Sequence, residues 1–252
     1  MAHFNLRQVD ALTFDVFGTT VDWFTTISRE VARQSKGRIA EGSKDAEDFA
    51  KEWREGYYRG TKAVGAGGQA SSLNVDVMHG DILETMLSSE RWEHLGEVWP
   101  RDGEERRELI MSWHKLDPYP DTVSGLTKLK VQKFVIAFSN GNYRLLLDMA
   151  KHANLPWDGI LSANFFGTYK PAPEAYASAQ HHLDLPPERI AMVAAHIHDL
   201  RAAAKAGFRT VYVRRAAEDV GVADSVKPKN EGGEVDAVVG SFEELAALLK
   251  AA

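Results

Sequence analysis

The stretch LTFDVFGTTVDW, residues 12–23, decides how the rest of the chain is read. Its apolar run ends in a carboxylate, Asp15, and the chain then turns through Gly18 and Thr19. Two positions after Asp15, where a second acid would complete a pair, stands Phe17. Short apolar runs bounded by turn residues predict strands buried on both faces. ALTFDVF (11–17) is the first, and five more follow: KFVIAFS (133–139), ILSANFF (160–166), IAMVAAH (190–196), RTVYVRR (209–215) and VDAVVGS (235–241). Helix-like segments separate them, YRLLLDMAKHA, PEAYASAQHHL, DLRAAAKAG and SFEELAALLKAA. Gly207 marks the end of the third and Ser241 caps the start of the fourth. Strand and helix in alternation predict parallel strands with right-handed crossovers, an α/β fold with a Rossmann-like sheet.

Residues 24–117 break that pattern. Phe49, Trp53 and Tyr57 recur every fourth position, as do Met78, Ile82 and Met86, and Leu109, Ile110, Trp113 and Leu116 share one face. These are amphipathic helices with aromatic seams. The reading is a core made of residues 1–23 and 118–252 with an α-helical cap, 24–117, inserted after the first strand. VGAGGQASS (64–72) is expected to be a flexible loop; it lacks the lysine and spacing of a phosphate-binding loop. Residues 214–234 are expected to be a surface loop.

Composition narrows the function. The 252 residues are 44% hydrophobic and 26% charged, enough for a full core. A formal charge of −6 argues against nucleic acid or an anionic membrane as partner. No cysteine is present, which excludes disulfides, thiolate metal sites and cysteine nucleophiles. The N-terminal residues lack the apolar segment of a signal peptide, and no apolar stretch approaches a membrane span, so a cytoplasmic protein is expected. The aromatic-rich helices offer a surface for a homodimer.

In an open parallel sheet, ligands bind beyond the carboxyl ends of the strands. Asp15 and Thr19 follow the first strand, Ser139 and Asn140 the second, Lys170 the third, and His196 and Asp199 the fourth. Each admits a plainer reading alone: Asp15 or Asp199 as a helix cap, Ser139-Asn140-Gly141 as a turn, Lys170 as a solvated loop lysine. Their common position at equivalent strand ends favours one convergent site.

FDVFGTT, FSNGN, YKPAPEAY and MVAAHIHDLRAAAKAG come in the order and spacing of the four motifs of the haloacid dehalogenase superfamily. Over most of its length the chain resembles the L-2-haloacid dehalogenases within it. Phosphatase members carry an aspartate where this chain has Phe17, and a further acid beside Asp199 that is absent here. A halide departs as an anion and needs no proton, so a nonpolar residue can replace the general acid.

The resemblance implies that Asp15 attacks the α-carbon of a 2-halocarboxylate, leaving an ester that water hydrolyses to a 2-hydroxy acid of inverted configuration. It implies no cofactor and no metal. Lys170 would hold Asp15 ionised, and Ser139 and Thr19 would hydrogen-bond substrate carboxylate and nucleophile. Arg54, in EWREGYY of the cap, would receive the halide together with Asn140, and Phe17 would be a nonpolar wall of the substrate site. The best-known members carry Ser-Ser-Asn where this chain has Ala194, Ala195 and His196. His196, three before Asp199, is therefore expected to position or deprotonate the hydrolytic water, or else to bond only backbone. His198 lines the pocket or points outward. A magnesium phosphatase, a hydrolase opening a strained 2-substituted carboxylate, and a non-catalytic binding protein on the same fold remain the alternatives.

Overall fold

The computed structural model describes residues 6–67 and 74–251. The opening strand, β1 (Ala11–Phe14), lies inside a six-stranded all-parallel sheet with β2 (Phe134–Ser139), β3 (Gly159–Ser162), β4 (Ile190–Ala194), β5 (Arg209–Val213) and β6 (Ala237–Val239). The order is β3-β2-β1-β4-β5-β6, with Ala11 paired to both Phe134 and Ile190. The chain first winds outward from β1 to β3, then crosses back to β4. β1 and β4 therefore flank the point where winding reverses, which is where such sheets open a crevice.

Burial on both faces explains the apolar runs. Along β4, Ala191 and Val193 enter one core cluster, while Ile190, Met192 and Ala194 enter the other. Helices α5 (Thr122–Lys130), α6 (Tyr143–His152), α7 (Pro173–Leu183), α8 (Ile197–Lys205) and α9 (Phe242–Ala251) supply the covering layers. Gly207 follows α8 with φ +89°, and Ser241 Oγ accepts from the Glu244 amide at 3.1 Å, as both residue types predict.

Between β1 and β2 run α1 (Trp23–Gln34), α2 (Lys44–Gly67), α3 (Val75–Leu87) and α4 (Glu104–Met111), then a 3-10 turn over Ser112–Lys115. The insert leaves and rejoins the core side by side: Asp22 donates to Asp117 and Tyr119 to Thr20 through their backbones. Two expectations need correction. Residues 64–67 extend α2 rather than starting a loop; the rest of 64–72 lies outside the described residues, apart from those four. The aromatic seams face inward. Phe49 packs on Trp92 and Trp99, and Trp53 on Trp113, all fully buried, so these rings form the insert's own core and not a face for a second copy. No described helix is long and apolar enough to cross a membrane.

A buried imidazole ties insert to core. His114, 3% exposed, bonds Asp76 of α3 through Nε2 and Asp148 of α6 through Nδ1, both at 2.9 Å. Burial disfavours its charge, but the two carboxylates outweigh that and raise its pKa. Imidazolium alone can donate to both. A raised folded pKa stabilises fully below the ordinary imidazole value of about 6.5, and that contribution disappears as pH rises through the folded value. We expect His114→Gln to be less stable than the parent by about 1 kcal/mol at pH 6. The gap should narrow by pH 9 in urea titrations; a gap independent of pH contradicts the charged clamp.

Candidate active site

Asp15 is the first residue beyond β1, with its amide bonded to Val193 of β4. The turn after it forces the backbone of Gly18 to φ +77°, and a Cβ there would overlap the Glu218 carboxylate. Thr20 Oγ1 donates to the Asp15 carbonyl at 2.8 Å, which pins the loop. The Asp15 side chain is fully engaged. Oδ1 accepts from Lys170 Nζ at 3.0 Å, and Oδ2 accepts from Thr19 Oγ1 at 2.9 Å and His196 Nδ1 at 3.1 Å. Burial pushes this carboxyl up, but Lys170 and His196 more than reverse it, holding the group well below the ordinary carboxylate range.

Lys170 reaches Asp15 because Asn140 grips its backbone from both sides. Asn140 Oδ1 accepts from the Lys170 amide at 2.8 Å and its Nδ2 donates to the Lys170 carbonyl at 2.9 Å. The Asn140 amide thus holds the lysine through its oxygen and one of its two N–H bonds. Lys170 Nζ also donates to Asp199 Oδ2 at 2.6 Å, and the Tyr176 hydroxyl donates to Asp199 Oδ1. Burial lowers the lysine pKa, but Asp15 and Asp199 over-compensate and raise it. The ammonium thus bridges the two carboxylates that a phosphatase reading would give to magnesium. Every oxygen of that pair already has a donor, so these residues do not fit the ion. Among the described residues, no group of three or more His, Asp or Glu is placed to hold a metal.

Arg54 enters from α2, buried to 5% exposure. Its guanidinium carbon lies 4.9 Å from the ring centre of Phe17, 5.0 Å from Tyr57, 4.5 Å from Tyr58 and 5.5 Å from Trp23. Nη2 donates to the Tyr58 hydroxyl at 3.1 Å. Nε and Nη1 are buried without a hydrogen-bond partner. A buried unpaired donor costs about 1–3 kcal/mol, more when charged, so this pair is poised for an anion. Phe17 is therefore more than an absent acid: its ring is one wall of the cationic cage.

These groups enclose a cavity of about 60 Å³, lined by Asp15, Phe17, Arg54, Tyr57, Tyr58, Thr61, Ser139, Asn140, Lys170, Pro171, His196, His198 and Asp199. All the expected site residues except Thr19 line it; Thr19 lies just behind, fully buried on Asp15. Ser139 Oγ accepts from the Gly141 amide at 3.2 Å. His196 occupies the N-cap position of α8 without capping it, since its ring turns instead to Asp15. His198 lines the pocket with part of its surface open to solvent; partial loss of water around the ring and the neighbouring His196 charge lower its pKa.

Glu218 is the residue that sequence reasoning missed. It lies in 214–234, expected at the surface, yet it is 6% exposed. Its Oε2 meets His196 Nε2 at 2.7 Å and its Oε1 accepts from Trp23 Nε1 at 2.6 Å. Neighbours dock this loop. Arg215 pairs with Asp121 and donates to the Thr19 carbonyl, and Asp219 accepts from the Ile197 amide at the start of α8. The strand-end rule applied to β5 would have flagged the Glu-Asp pair.

The fold and the site define a Rossmann-like enzyme core with a buried, ionised carboxylate just beyond its first strand and a helical insert after it. The sequence profile described as haloacid dehalogenase-like hydrolase matches residues 9–207, and the chain belongs to that family. It is 34% identical over 113 residues to (S)-2-haloacid dehalogenase 1 of Pseudomonas sp. (strain CBS-3), a match covering 44% of this chain and 50% of the relative. The chain thus spans about half the length of that curated relative in the match. Solved structures extend the likeness. One L-2-haloacid dehalogenase superposes with TM-score 0.81 and 32% identity over 96% of this chain and 99% of its own. A defluorinating L-2-haloacid dehalogenase superposes with TM-score 0.83 and 34% identity over 96% and 95%.

Proposed function

We propose that the chain is an (S)-2-haloacid dehalogenase that hydrolyses small 2-halocarboxylic acids to 2-hydroxy acids through an ester on Asp15. The observation that carries this is one small cavity lined both by the ionised carboxylate of Asp15 and by buried Arg54, whose guanidinium keeps two N–H groups without a hydrogen-bond partner. No acid stands at position 17, which suits a leaving group that departs already anionic. The helical insert, 24–117, acts as the cap that brings Arg54 to the core.

An Asp15 oxygen attacks the substrate α-carbon from the side opposite the halogen, and the carbon–halogen bond breaks as the carbon–oxygen bond forms. Arg54 receives the halide in a dry aromatic cage, where electrostatic stabilisation exceeds its value in water. Lys170 and Thr19 orient Asp15, and Ser139 faces the substrate carboxylate. Water then attacks Cγ of the ester with His196 as base. At about 10–15 Å³ per enclosed water, the cavity holds four to six water-sized groups, the size of a two- or three-carbon halo acid.

The test is halide release from L- and D-2-chloropropionate and from fluoroacetate with no added metal. We expect release from the L-enantiomer with formation of the inverted hydroxy acid, and little from the D-enantiomer. Absence of halide release from all three, with magnesium-dependent cleavage of p-nitrophenyl phosphate, overturns the reading.

A further inference from the structure

We propose that Glu218 is a positioning residue that makes His196 the base for ester hydrolysis, and that esterification of Asp15 is the event that frees His196 to act. The inference rests on the dehalogenase reading above and adds a device within it.

His196 lies between two carboxylates, with Nδ1 at 3.1 Å from Asp15 Oδ2 and Nε2 at 2.7 Å from Glu218 Oε2. With both carboxylates ionised, both ring nitrogens must donate, so the resting ring is imidazolium. Burial opposes that charge, but the two partners raise the His196 pKa well above its ordinary value, while His196 in turn lowers Glu218. An imidazolium is no base. The groups facing the ring are Asp15 at the end of β1, Glu218 after β5, His198 on α8 and Tyr58 on α2; Arg54 adds a positive field at Glu218.

Alkylation changes this balance at one partner only. Once Asp15 is an ester, its anion no longer holds the Nδ1 proton. The ring gives that proton to solvent, the single proton that hydrolytic dehalogenation releases per turnover. Glu218 still accepts from Nε2–H, so the neutral ring is locked as the tautomer whose bare Nδ1 faces the ester. The geometry of a carboxylate fixing a histidine tautomer is that of a hydrolytic triad. Water then passes a proton to Nδ1 while its oxygen bonds to Cγ. The bond from Cγ to the former Asp15 oxygen now carried by the substrate α-carbon breaks, water's oxygen takes its place on Cγ, and the remaining hydroxyl proton goes to the departing alkoxide. Asp15 returns as carboxylate and His196 as imidazolium, which is the starting state.

Two features keep Glu218 in place independently of catalysis. Trp23 Nε1 donates to its other oxygen, and Gly18 leaves the space its carboxylate fills.

The experiment is rapid-quench turnover of L-2-chloropropionate by the parent, Glu218→Gln and Trp23→Phe. In Glu218→Gln the side-chain amide can donate to Nε2, which places the proton on Nδ1 and removes the base. We expect one equivalent of halide per site at close to the parent rate. Steady turnover should then be slower by about 10²-fold or more, with esterified Asp15 accumulating by mass spectrometry. Without the Glu218 charge, the pH limb of the slow step moves to lower pH. Trp23→Phe keeps the carboxylate and a ring beside Arg54 but loosens Glu218, so it slows ester hydrolysis less than Glu218→Gln does yet by a larger factor than it slows the burst; it also carries the test if Glu218→Gln fails to fold. Parent-like turnover and pH profile in both variants overturns the inference alone. Loss of the halide burst together with turnover also overturns it, because Glu218 then serves the whole site. A parent chain that releases no halide overturns the dehalogenase reading, and this step with it.

Discussion

Asp15→Asn is expected to release halide at least about 10⁴-fold more slowly than the parent, as is usual when a covalent nucleophile is removed. The amide is nearly isosteric but holds no anionic oxygen to attack carbon. The fold should survive, because each of Asp15's partners has a second anchor. Lys170 keeps Asp199, His196 keeps Glu218, and Thr19 Oγ1 still accepts from the Ala195 amide. An ion-selective electrode reads the rate, and circular dichroism checks the fold. A variant that dehalogenates within tenfold of the parent removes Asp15 from the reaction, and the proposed mechanism fails with it.

Lys170→Met is expected to damage both stability and rate. The ammonium stands between Asp15 and Asp199, all three at most 9% exposed. Removing it leaves two carboxylates facing each other without their shared cation. Breaking a buried pair from one side costs about 3–5 kcal/mol. The direction with pH follows from Asp15. Its folded pKa is depressed, so its contribution is present above the unfolded value of about 3.9 and is lost as pH falls through the folded value. The stability gap between parent and variant, measured by urea midpoint, should therefore be full at pH 7 and shrink in acid. Burial already pushes the Asp15 carboxyl upward, and without Lys170 only His196 and Thr19 oppose it. The acid limb of the variant's pH–rate profile should move to higher pH. An unchanged limb means Lys170 does not hold the nucleophile ionised.

Much of the core was legible because its residues report local rules. Strands buried on both faces need unbroken apolar runs, and β2, β4 and β5 lie inside the stretches that carried them. The third run was shorter than read: β3 stops at Ser162 and a 3-10 turn over Ala163–Phe166 follows. Asp15, Ser139, Lys170 and Asp199 were legible because parallel strands put their carboxyl ends on one rim, whatever the details of packing.

Other parts depended on contacts between distant segments. Arg54 sits on a helix whose apolar face is plain, but its orientation comes from four rings contributed by residues 17, 23, 57 and 58. Asn140 clamps Lys170 because the chain after β3 returns within reach of its amide, a contact that its position after β2 does not reveal.

The sequence by itself determined the α/β alternation, the lone carboxylate at the first strand end and the absence of an acid two residues later. Those are consequences of residue order. Only the tertiary structure decided that Glu218, 22 positions after His196, closes on its ring, and that Arg54 keeps two donors unpaired. Both depend on which groups are excluded from water together, and desolvation belongs to the packed assembly of segments rather than to any one of them.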